Sequence, residues 1–210
     1  VAGQVDPIND IQVINLELAL SDLQSVENIL TRLEKQAKGK KEMVPVIATL
    51  ERARAHLDKG LPVRTLQLTD EEKEYLKPYP LLTSKKVLYV ANVSENDLPS
   101  MENDYVKRVR EFAQAEGNEV ITICARLEEE IAQLDEEERK SFLEELGLNE
   151  SGLQRLIRTS FSMLGLITYL TTGEIETRAW TIIKGTNAAE AAGKIHTDIQ
   201  KGFIRAEVVS

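Results

Sequence analysis

Apolar positions in residues 10–36 recur at heptad spacing. Leu16, Ala19, Leu23, Val26, Leu30 and Leu33 stand 3, 4, 3, 4 and 3 residues apart, an a/d seam that predicts an amphipathic helix. Lys38-Gly39-Lys40-Lys41 interrupts the seam. A second one follows through Met43, Val46, Leu50, Ala53 and Leu57, ending at Gly60 and Pro62. Two seams joined by a short loop predict an antiparallel helical hairpin, because two such short helices are marginal unless each buries its stripe on the other. Pro45 falls in the first turn of the second helix, where it is tolerated. Thr69-Asp70-Glu71-Glu72 predicts a further helix, with Thr69 as N-cap and Glu72 three residues on. Pro78 and Pro80 end it.

From Val87 the period changes. Val87–Ala91 is a continuous apolar run, as expected of a strand buried on both faces. Residues 103–116 predict a helix with Tyr105, Val106, Val109, Phe112 and Ala113 on one face, stopped by Gly117. Val120–Ile123 is a second apolar strand. This βαβ pattern predicts two parallel strands, whose carboxyl ends, at Asn92–Glu95 and Cys124–Arg126, are the ligand-binding ends of such sheets. Residues 128–150 hold ten Asp/Glu against two Arg/Lys; they read as a solvated helical face or a docking surface for a basic partner. Leu153, Leu156, Ile157, Phe161 and Leu164 form a helical stripe expected to pack on the sheet or on the next module. Beyond Leu166, Tyr169–Thr172, Thr177–Ile183 and Phe203–Val209 are strand-like, around an Ala-rich helix over Asn187–His196. These predict a small β+α module.

Composition narrows the class. A net charge of −9 over 210 residues argues against a general nucleic-acid coat but leaves room for a local basic contact. Residues 23–60 supply one, with eight Lys/Arg against five Asp/Glu. Lys35, Lys38, Lys40 and Lys41 crowd the hairpin tip, which is either a solvated tip or an electrostatic contact to phosphate. The one cysteine, Cys124, excludes an intrachain disulfide and fits a reducing, cytoplasmic setting. No apolar run reaches membrane-spanning length, and Val1-Ala2-Gly3-Gln4 lacks a signal-peptide pattern. The missing initiator Met and the strand-like Val208-Val209-Ser210 end lead us to expect a fragment of a longer protein.

The two loops carry the candidate chemistry. Guanine-reading loops of P-loop GTPases have the form Asn-Lys-x-Asp after a strand; the Asp accepts from two adjacent donors of guanine. Here Asn92 is followed by Val93 where Lys would lie along the base and by Glu95, one methylene longer, where Asp would stand. Adenine presents an acceptor beside a donor, which suits a carboxamide better than a carboxylate. The substitutions weaken guanine reading without alone establishing adenine. Cys124-Ala125-Arg126 stands where GTPases have Ser-Ala-Lys, and Cys124 reads as a small buried residue rather than a nucleophile. No G-x-x-x-x-G-K-[ST] loop occurs. His56, read as solvent-facing, and His196, read as a helix C-terminal cap or dipole partner, have no metal-like spacing. We therefore expect no catalytic or metal-binding residue in this chain.

The stretches DPINDIQVINLELALSDL (6–23), YVANVSEND (89–97), VITICARLEEEIAQL (120–134) and ETRAWTIIKGTNAAEAAGKIHTDIQKGFIRAEV (176–208) closely resemble the YchF family, the Obg-like ATPases of the translation-factor class of P-loop GTPases. The resemblance runs the whole chain in order. It implies an α/β fold: part of a P-loop G domain with a parallel sheet (residues 1–20 and 84–165), an antiparallel helical coiled-coil insertion (21–70), a connector (71–83) and a partial β-grasp, or TGS, module (166–210). It implies that Asn92, Val93 and Glu95 belong to an altered base-recognition motif and Cys124, Ala125 and Arg126 to the final nucleotide-binding loop. It also implies an intact protein that hydrolyses ATP in preference to GTP with Mg²⁺ and associates with ribosomes. The phosphate loop, switches and Mg²⁺ ligands would precede Val1, so the fragment alone is expected to be inactive and to hold no nucleotide tightly. The alternative is a binding module in which the basic hairpin and the TGS segment dock on ribosomal RNA or protein, with nucleotide as a switch.

Overall fold

Pro7 opens a 30-residue helix, α1 (Pro7–Gln36); its fixed φ and missing N–H suit a first helical position. The computed structural model describes residues 5–36, 40–173 and 176–209. These fall into two compact units, one ending at Thr122 and one beginning at Ile123.

In the first unit α1 packs on α2 (Met43–Leu57). Ala19, Val26, Leu30 and Leu33 join Leu50, Ala53 and Leu57 in one core cluster, with Val63, Leu76 and Leu81 from the following segment. Each fully buried Leu contributes about 2 kcal/mol. The expected seam begins one step too early: Leu16 is 48% exposed, because the surface that α2 covers starts at Ala19. Within α1 the polar Asp22 is only 2% exposed. Its carboxylate accepts the N–H groups of Leu82 (2.8 Å) and Thr83 (2.7 Å) and the Thr83 hydroxyl (2.6 Å). Thr83 Oγ1 accepts in turn from Val63 N–H at 3.0 Å. One buried carboxylate thus fastens both ends of the segment that follows α2 to α1.

His56 faces this segment rather than solvent. It is half-buried, its Nε2 lies 2.9 Å from Thr65 Oγ1, and burial lowers its pKa below the usual imidazole value. The helix foreseen at Thr69 is α3 (Asp70–Leu76), with its capping box formed: Thr69 Oγ1 accepts from Glu72 N–H at 3.2 Å and Glu72 Oε2 accepts from Thr69 N–H at 2.8 Å. The Thr69 N–H, with Arg52 beside it, holds the Glu72 carboxyl below its ordinary pKa. Thr69→Ala should cost about 1 kcal/mol, measurable as a lowered urea midpoint; an unchanged midpoint would show that the Glu72–Arg52 pair suffices.

β1 (Leu88–Asn92) and β2 (Glu119–Ile123) pair in a two-stranded parallel sheet, joined by α4 (Asp104–Ala115). Asn103 caps α4, accepting from Val106 N–H at 2.9 Å. Gly117, at φ +72°, ends it in the left-handed region that favours glycine. The two-sided burial expected of β1 is not found, since Val90 is exposed. Two strands and one crossover helix cover only one face. Tyr105 is likewise exposed at the rim of α4, whereas Val106, Val109 and Ala113 are inside.

The second unit opens with α5 (Ala125–Ile131), α6 (Glu136–Glu145) and α7 (Gly152–Met163). α7 packs on β3 (Leu166–Thr172), which pairs antiparallel with β4 (Thr177–Ile183) in the register Tyr169↔Trp180. The expected α7 stripe is only partly used: Leu153, Ile157 and Leu164 remain exposed, because β3 contacts a narrower strip than the stripe spans. Arg178 lies 4.4 Å over the Trp180 ring, whose Nε1–H donates to Thr171 Oγ1 at 2.8 Å. α8 (Ala188–Ile195) covers this side of the hairpin, its Ala191 carbonyl accepting from Tyr169 Oη–H at 2.8 Å. His196 caps the C-terminus of α8, as expected, its N–H donating to the Ala192 carbonyl at 3.2 Å, and it also caps the start of a further helix, α9 (Thr197–Lys201), by accepting Asp198 N–H on Nδ1 at 3.1 Å. The strand expected at Phe203–Val209 is absent among the described residues. Ile204 is 91% exposed, and a β-branched run without a hydrogen-bonding neighbour has no ladder to join.

Candidate functional site

Asn92 closes β1 with its side chain exposed, and Glu95, also exposed, opens a 3₁₀ turn over Glu95–Asp97. Val93 between them is 7% exposed. It is therefore turned inward. Alternation along an extended chain sends neighbours to opposite sides, so a buried Val93 presents Asn92 outward.

The turn is organised by a residue the sequence reading passed over. Asp97 Oδ2 accepts from Ser94 N–H, Ser94 Oγ–H and Asn103 Nδ2–H, each at 3.2 Å, and its carbonyl accepts from Met101 N–H at 2.6 Å. The Ser94-x-x-Asp97 spacing, a capping-box pattern, was the available signal. Behind the turn, β1 is anchored through Tyr89. Its hydroxyl donates to Glu116 at 3.0 Å, and Glu116 also accepts from Asn118 Nδ2–H at 2.8 Å. Burial, then the Glu116 charge, pushes the Tyr89 phenol above its ordinary pKa. Arg64 lies 3.6 Å from Glu116 and donates to Asn15 on α1 at 3.0 Å. A cavity of about 300 Å³ adjoins this end of β1, lined among others by Tyr89, Asn92, Val93, Asn103 and Tyr105.

Cys124 is 1% exposed, bearing out its reading as a small buried residue, and occupies the N-cap position of α5 with no side-chain capping bond. Ala125 and Arg126 form the first turn of that helix, both exposed, with Arg126 Nε 4.0 Å from Glu130. The structure thus brings Asn92, Val93 and Glu95 together on one strand end and Cys124, Ala125 and Arg126 on one helix start. Glu128, counted in the sequence with the solvated acidic run, is bound: its carboxylate accepts Gly152 N–H at 2.6 Å and Leu153 N–H at 3.1 Å, the opening donors of α7.

Of the four hairpin lysines, Lys35 lies in the last turn of α1, and Lys40 and Lys41 precede α2, all three exposed. Lys38 lies outside the described residues. Among the described residues no group of three or more His, Cys, Asp or Glu is placed to hold a metal ion, and no helix is long and apolar enough to cross a membrane.

Comparison with known proteins gives this arrangement its relatives. The "Ribosome-binding ATPase YchF" of Bacillus subtilis (strain 168) is 50% identical over 212 residues, covering 100% of this chain and 58% of its own length. The Escherichia coli O157:H7 protein of the same name is 47% identical over 211 residues, with the same coverage. The structure of the Schizosaccharomyces pombe YchF GTPase matches with a TM-score of 0.83 at 35% identity, over 97% of this chain and 56% of that one. The chain therefore spans a little over half the length of these relatives. The family YchF-GTPase_C, described as a protein of unknown function (DUF933), matches residues 166–210. With both bacterial proteins aligned to all of it and the yeast structure to nearly all, the chain belongs to the YchF family.

Proposed function

We propose that this chain is the base-reading part of a nucleotide-dependent ATPase that works with the ribosome and prefers ATP to GTP. The observation that carries the base reading is the outward pair Asn92 and Glu95 at the carboxyl end of β1, with Val93 turned inside. The exposed Asn92 carboxamide can donate and accept at once, as the adenine edge requires. A Glu reaches one methylene further than the Asp of a guanine loop, and the base loses its covering Lys stem. Cys124, Ala125 and Arg126 form the final nucleotide-binding loop in this reading. The names of the bacterial relatives support ATP hydrolysis and ribosome binding. Residues 21–70 serve as the coiled-coil insertion and 166–210 as part of a TGS module.

Mg²⁺ would be held by nucleotide phosphates and by residues other than those described here, which assemble no metal cluster; no step is assigned to it. Lys35, Lys40 and Lys41 favour a contact of the hairpin end with ribosomal phosphate, since exposed clustered cations gain affinity by releasing counterions. Titration calorimetry of ATP and GTP with the intact protein tests the base assignment. ATP should bind about tenfold tighter, or about 1.4 kcal/mol. GTP binding as tightly or more tightly would overturn it.

A further inference from the structure

We propose that Glu128 is a positioning residue for the Cys124–Arg126 loop, clamping both ends of it onto Gly152 at the start of α7. This deepens the base-site reading above and rests on it.

Cys124 makes no side-chain capping bond, and α5 is seven residues long, well below the length at which a helix is stable alone. Burial of Leu127 and Ile131 anchors its far side. The near side is fixed through Glu128, which works at two points. Its backbone N–H donates to the Cys124 carbonyl at 3.0 Å, closing the turn over Ala125 and Arg126. Its carboxylate accepts the N–H groups of Gly152 and Leu153 at 2.6 and 3.1 Å. A carboxylate on a helix N-terminus gains from both the charged hydrogen bonds and the helix dipole.

Gly152 shows how closely the loop is gripped. A Cβ there would stand 2.8 Å from Glu128 Oε1, 2.8 Å from Ile123 Cγ2 and 3.2 Å from Ile123 Cβ. Ile123 immediately precedes the loop and Glu128 stands two residues after it, so both flanks converge on one missing side chain. Groups that read a ligand by backbone and short side chains need placement within a fraction of an ångström, supplied by residues that never touch it.

Glu128→Ala, Glu128→Gln and Ser151→Ala in the intact protein separate positioning from a plain helix cap. Ser151 caps the same helix, accepting from Gln154 N–H at 3.1 Å, but holds nothing in α5. Without nucleotide, amide exchange of a peptide covering residues 124–127 should rise about tenfold in Glu128→Ala, corresponding to about 1.4 kcal/mol, and stay unchanged in Ser151→Ala. ATP affinity should fall about tenfold in Glu128→Ala with the ATP-to-GTP ratio moving toward one, and Glu128→Gln, which keeps an acceptor, should recover part of it. Equal exchange in the two alanine variants, or faster exchange in α7 alone, would overturn the proposal. Absence of ATP binding in the parent protein would sink the base-site reading and leave the exchange result to decide the clamp.

Discussion

Asp22→Ala should destabilise the first unit by about 3 kcal/mol, the sum expected when a buried acceptor is removed from several donors. Leu82 N–H, Thr83 N–H and the Thr83 hydroxyl all donate to this carboxylate. Thr83 is itself buried, so water cannot simply replace the lost oxygens. The truncation also leaves a cavity at this fully buried position of α1. Asp22→Asn should fall between, because one face of the carboxamide still accepts while its NH₂ meets another donor. Urea unfolding followed by far-UV circular dichroism measures both. A loss below about 1 kcal/mol, the net worth of one ordinary hydrogen bond, would mean that the 82–84 turn re-forms without its acceptor.

Gly152→Ala should destabilise the second unit by about 2 kcal/mol, although Gly to Ala within a helix ordinarily stabilises by about 0.5–1 kcal/mol. Overpacking of this kind costs about 1–3 kcal/mol, and the contacts decide which effect wins. The Glu128 carboxylate is a movable side-chain end, yet it is pinned by two N–H groups. Ile123 Cβ, 3.2 Å away, is one bond from the main chain and can yield only if the backbone after β2 shifts. A lower thermal midpoint is the expected reading. A midpoint raised by the ordinary helical gain would show that Ile123 moves aside at little cost.

Local pattern was legible where the physics is local. The seam from Ala19 onward, the Thr69 capping box, the Gly117 stop and the β3–β4 hairpin each depend on residues within a few positions. What the pattern could not carry was pairing across distance. Asp22 is polar within an apolar stripe, and its partners lie 60 and 61 residues on. Glu128 sits in an acidic run that composition marks as solvated, and its partners lie 24 and 25 residues on. The strand expected at Phe203–Val209 failed for the converse reason: propensity was present and the neighbour was not. In the candidate site, Asn92 and Glu95 stood out because they depart from a known loop. Asp97 did not, since a turn-forming carboxylate is commonplace until its three hydrogen-bond donors are seen.

The sole tryptophan, Trp180, lies beneath Arg178 on the β3–β4 hairpin, while the longest helices, α1 and α2, are in the other unit. Intrinsic fluorescence therefore reports on one half of the chain, and the helical ellipticity is weighted toward the other. Unfolding curves from the two probes need not coincide. Their divergence on adding denaturant would measure how far the two units melt independently, with no label introduced.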